Sequence, residues 1–111
     1  MDKDKRRRAR NEALFREVNE RIIELETGGY DLNGSLLVGF VCECPQEDCN
    51  EMIEVTRGQY EAVRNYSRRF LVLPGHEDAD IATVVERHST YLVVEKIGEA
   101  AVVAEEQDPR A

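Results

Sequence analysis

Residues 40–49 read FVCECPQEDC and hold all three cysteines of the chain, at positions 42, 44 and 49. On an extended strand alternate side chains share a face, so the sulfurs of Cys42 and Cys44 can reach one point. Pro45 lacks an amide hydrogen and has a fixed φ, so it ends strand pairing and helps the chain turn. The polar residues after it give enough chain to bring Cys49 back to that point. Three thiolates from one knuckle then converge, and a tetrahedral metal site needs one further donor. His76 is the expected fourth ligand, because it follows an apolar strand and the stiff turn of Pro74 and Gly75. His88, at what reads as a hairpin end, is the reserve. Thiolate and imidazole together suit zinc best among the common cellular metals.

Other readings of the knuckle exist. Cysteine is often a small apolar core residue, and neighbouring thiols can form a redox pair. Three cysteines in eight positions, interleaved with Glu43, Gln46, Glu47 and Asp48, favour a metal site in a reducing compartment. A site closed by four protein ligands leaves no position for water or substrate, so a structural role is expected. Glu77, beside His76, is a candidate general base, but there is no H-E-x-x-H and no zinc-deaminase signature around it. The first expectation is therefore a non-catalytic zinc-binding interaction or regulatory module. The second is a zinc/thiol redox sensor, in which oxidation of Cys42 and Cys44 expels zinc. The third is a hydrolase with an open zinc site.

Working outward, residues 9–26 have a helical period, with Phe15, Val18, Ile22 and Leu25 on one stripe, widened by Leu14 and Ile23. The four-and-three spacing resembles a short coiled-coil seam, so the stripe either packs on its own domain or meets a protein partner or a second copy. The glycines at 28 and 29 end the helix and mark a hinge, the N-terminal helix being taken as residues 9–27 and the zinc-stabilised domain as 30–106. Strands are predicted over 36–42, 52–55, 70–73, 81–87 and 91–96, the fourth being equally readable as a helix. Thr56 and Gln59 form a capping box for a helix over 57–65 with Tyr60 and Val63 inward. Gly98 introduces a last helix over 99–106, and residues 107–111 form a polar tail. Glu95 and Lys96 read as surface charges. The fold class is α+β: a small, mostly antiparallel sheet with two packed helices, a zinc knuckle and an extra N-terminal amphipathic helix.

The chain has 111 residues, enough for one domain that buries a real core. Its net charge is −8, unevenly spread. The first ten residues carry six basic and two acidic side chains, a balance of +4, which leaves −12 on the rest. An acidic body repels phosphate backbones, so nucleic acid is an unlikely partner except through the basic segment 1–8, read as a disordered tail. No apolar leader follows that segment and no apolar run is long enough to cross a bilayer, so a cytoplasmic protein is expected.

The segments RNEALFREVNERI, FVCECPQEDC, YEAVR, RFLVLPGHE and YLVVEKIGEAAVVAE together resemble a group of small bacterial proteins with a C-x-C-x4-C knuckle and a P-G-H-E turn. The resemblance covers nearly the whole chain. It implies a shared fold and a metal-type site at Cys42, Cys44, Cys49 and His76, and no reaction.

Overall fold

The computed structural model describes residues 3–26 and 36–110. The element order is α1 (Lys3–Glu26), β1 (Leu37–Val41), β2 (Met52–Thr56), α2 (Arg57–Arg64), β3 (Arg69–Val72), β4 (Ala82–Arg87), β5 (Leu92–Lys96) and α3 (Gly98–Glu106). All pairing is antiparallel, but the strands form two ladders, β1–β2 and β3–β5–β4. This is the expected α+β architecture. The segment 81–87, readable either way, is a strand from Ala82 with a bulge between Val84 and Glu86.

The two sheets share one core. Phe40 of β1 stacks on Tyr60 of α2 at 4.3 Å between ring centroids. Phe70, Leu71 and Val72 of β3 and Val93 and Val94 of β5 are buried around them. β5 is the central strand of its ladder and is buried on both faces, hence its near-continuous apolar run. α2 starts on the predicted capping box: Thr56 Oγ1 accepts from Gln59 N, and Gln59 Oε1 accepts from Thr56 N. That box joins β2 directly to the helix whose Tyr60 and Val63 face the core.

The N-terminal segment departs from expectation. Helix α1 begins at Lys3, inside the stretch read as a disordered tail. Its first turns are held by Asp4 against Arg7 and Arg8, at the spacings where helical neighbours meet. They are also tied to the body by Arg7 to Glu47, Arg8 to Asp78, and Arg6 to Glu99. The hinge at Gly28 and Gly29 lies outside the described residues.

The apolar stripe of α1 is not its buried face. Phe15 and Ile22 are half-buried, while Val18 is 40% exposed and Leu25 84% exposed. The buried face consists of Ala9, Glu12, Ala13, Arg16, Asn19 and Ile23, three of which are polar. Each of those three finds a distant partner. Glu12 pairs with Lys96 at the end of β5. Arg16 donates to the carbonyls of Ser67 and Ala104 at 2.7 and 2.6 Å, and lies over the Phe70 ring. Asn19 lies against the free edge of β1, donating to Val41 O at 2.9 Å and accepting from Val41 N at 2.8 Å. Lys96 is accordingly buried, not the surface charge expected of a lysine following an acid.

Candidate metal centre

β1 and β2 are the arms of a hairpin whose tip is the cysteine knuckle. Val41 pairs with Met52, and Cys42 N donates to Glu51 O just beyond the ladder. Cys49 N donates to Gln46 O, closing the turn. The hairpin tip is pinned to the second sheet by Glu43 N, which donates to Leu71 O of β3 at 2.8 Å. β3 ends at Val72, and its chain leads through Leu73, Pro74 and Gly75 to His76. Gly75 has φ +92°, a region that side chains with a Cβ rarely enter, so the turn that delivers the imidazole uses glycine's freedom. His76 N donates to Leu73 O, and Asp78, two residues on, accepts from Ile81 N and Ala82 N and is gripped by Arg8.

These two loops bring Cys42, Cys44, Cys49 and His76 together, with one ligand atom from each lying within 4.8 Å of the others. His76 Nδ1 stands 3.6 Å from Cys42 Sγ and 3.7 Å from Cys49 Sγ. A tetrahedral ion bound to sulfur at about 2.3 Å and nitrogen at about 2.0 Å spaces its ligand atoms about 3.5–3.8 Å apart. Those two separations match that spacing, and the group as a whole is compatible with a single-ion site. His88, the reserve ligand, pairs instead with Glu86 and stacks on Tyr91.

Each sulfur also meets a backbone amide. Leu73 N donates to Cys42 Sγ at 3.3 Å. The Cys44 thiol is lowered to about 5, first by a hydrogen bond from the Cys42 thiol and further by the backbone of Gln46. The Cys42 thiol is raised, first by that same bond and then by burial. Cys49 is raised by burial, against a backbone hydrogen bond at Glu51 that lowers it. Amides directed at sulfur disperse thiolate charge, as a centre of several converging thiolates requires.

Between the two buried cysteines, Cys42 and Cys44, sits Glu43, which sequence reasoning counted as a polar spacer. It is wholly buried and satisfied by Tyr60 Oη, Asn19 Nδ2 and Leu71 N. Its position between two strand cysteines sends it to the opposite face of the chain, into the core, and that alternation was the available signal. The interaction residues named from the sequence, Phe15, Val18, Ile22 and Leu25, are not part of this centre.

No protein-family model, curated protein or solved structure matches the chain. Among the described residues, no helix is long and apolar enough to cross a membrane.

Proposed function

We propose that Cys42, Cys44, Cys49 and His76 hold one zinc ion, and that the protein is a non-catalytic, cytoplasmic interaction or regulatory module organised around it. The observation that carries this reading is the convergence of three sulfurs and one imidazole nitrogen within 4.8 Å. Soft thiolates with one imidazole favour zinc over magnesium, calcium or manganese. Four protein donors complete a tetrahedron and leave no place for a reacting water, which argues for a structural role rather than a hydrolytic one. The ion would staple the β1–β2 hairpin tip to the loop after β3, two segments that are otherwise joined near the site by the bonds between Glu43 and Leu71 and by Leu73 N on Cys42 Sγ.

Contact with a protein partner or a second copy would use the outer face of α1, where Leu14, Val18 and Leu25 are exposed. Several basic side chains at the start of α1 are engaged by Asp4, Glu47, Asp78, Asp80 and Glu99 of the same chain. That engagement weakens the case for nucleic acid as the partner.

Elemental analysis of the purified protein tests the reading. About one zinc per chain is expected, falling well below one when Cys42, Cys44, Cys49 or His76 is replaced singly. Protein purified without zinc that also fails to bind added zinc would overturn it.

A further inference from the structure

Building on the zinc reading, we propose that the centre is a peroxide-responsive thiol switch, entered at Cys49 and resolved by Cys44. The three sulfurs are not equivalent in exposure. Cys42 and Cys44 are buried at 1% and 0%, while Cys49 is half-buried at the rim of the hairpin tip. A small oxidant reaching the centre from solvent meets Cys49 first. The hairpin register then selects its partner. Val41 faces Met52 and Cys42 N bonds Glu51 O; carried two positions past that bond, beyond the end of the ladder, the register would set Cys44 across from Cys49, and the two sulfurs lie within 4.8 Å of each other. Opposed residues of an antiparallel pair have Cα atoms about 4.5–5.5 Å apart, inside the range of about 4.4–6.8 Å that a disulfide spans. Cys42 and Cys44, two apart along the chain, touch through their thiols, so a bridge between them is the competing outcome. Cys42 is also held by Leu73 N.

In the first step the Cys49 thiolate attacks one oxygen of hydrogen peroxide. The O–O bond breaks, hydroxide leaves, and Cys49 becomes a sulfenic acid. In the second, the Cys44 thiolate attacks that sulfur, the S–O bond breaks, a second hydroxide leaves, and the S–S bond forms. Peroxide gains two electrons and each cysteine sulfur loses one. Cys42 and His76 alone cannot complete a tetrahedral site, so the ion is released and the staple between the hairpin and the β3–β4 loop opens.

The test uses the wild-type, zinc-loaded protein, which avoids variants that lose a ligand. It is treated with substoichiometric hydrogen peroxide, with and without the sulfenic-acid reagent dimedone, and mapped by mass spectrometry while released zinc is read with a chromogenic chelator. The expected adduct is at Cys49, at least tenfold above Cys42 and Cys44. Without dimedone, a Cys44–Cys49 disulfide forms with one zinc released per bridge, and dithiothreitol with added zinc restores the starting state. Labelling spread evenly over the three cysteines, a Cys42–Cys44 bridge, or a loaded protein that keeps its zinc under peroxide would overturn the proposal. Absence of zinc before oxidation would instead overturn the metal reading, so the two failures are distinguishable.

Discussion

Asn19 on α1 donates a hydrogen bond of 2.7 Å to the buried carboxylate of Glu43, twenty-four residues later and between two cysteines of the candidate metal centre. The same side chain covers the open edge of β1 at Val41. One amide thus joins the first helix to the strand that carries the knuckle. Asn19→Ala should cost about 2–4 kcal/mol, since each buried polar group left unpaired costs about 1–3 kcal/mol. Chemical denaturation checks this. A loss under 0.5 kcal/mol would mean that water replaces the amide at this edge.

Glu12 and Lys96 form a buried ion pair between α1 and β5, with Lys96 also 4.9 Å from the Phe70 ring centroid. Oε1 of Glu12 has no hydrogen-bond partner. Lys96→Met alone strands a buried carboxylate and should destabilise by about 3–5 kcal/mol, whereas Glu12→Leu with Lys96→Met should be neutral or stabilising by up to about 4 kcal/mol. Thermal denaturation of the two singles and the double completes the cycle. Additive losses would show that the pair is not coupled.

Burial pushes the Glu12 carboxyl up to about 7, against the pull of Lys96. Between its ordinary value near 4.5 and about 7, the unfolded chain has released this proton while the folded chain still holds it. The stability from this group is therefore full below about 4.5 and lost as pH rises to about 7. The wild type should lose stability relative to Glu12→Gln across that window, and the difference between them should be level above it. Parallel stability–pH curves for the two proteins would contradict the assignment.

The knuckle was legible because its logic is local. Two cysteines on alternate positions of a strand, a proline stop and a short return need no knowledge of the rest of the chain. The capping box at Thr56 and Gln59 was legible for the same reason. The buried face of α1 was not. Apolar periodicity points to Phe15, Val18, Ile22 and Leu25, yet the helix buries Glu12, Arg16 and Asn19. Their partners lie at Lys96, Ala104 and Glu43, too far along the chain for any local pattern to register. Lys96 was misread for the matching reason: its neutralising acid is on another element.

That distinction separates two neighbouring positions on α1. Ile22 packs against the core while Leu25 projects from it. Ile22→Asp should destabilise the fold by about 1–3 kcal/mol, and Leu25→Glu should stay within about 0.5 kcal/mol of the wild type. In sedimentation velocity, Leu25→Glu should shift the protein toward monomer, or abolish capture of its partner, with zinc content unchanged. An unaltered association state together with unaltered partner binding would remove the outer face of α1 as the contact surface.

Removing zinc from the proposed centre should expose how much of the molecule depends on it. Chelation is expected to lower the thermal midpoint by about 10 °C or more, because a ligand bound only by the folded form stabilises it by mass action and each kcal/mol shifts a domain of this size by about 4–8 °C. Scanning calorimetry with and without chelator reads this directly. Coincident transitions would show that the knuckle holds its shape unaided.

Three of the four donors lie within eight positions of the chain, and only His76 arrives from farther away. On the zinc reading, a nascent or unfolded polypeptide would be able to gather an ion with its thiolates alone, before any sheet exists. Doing so would set the hairpin's alignment early and leave the imidazole to lock it later. Zinc would then act as a nucleating template as well as a staple, and its clearest signature would be kinetic: faster refolding when the metal is present from the first millisecond than when it is added after collapse.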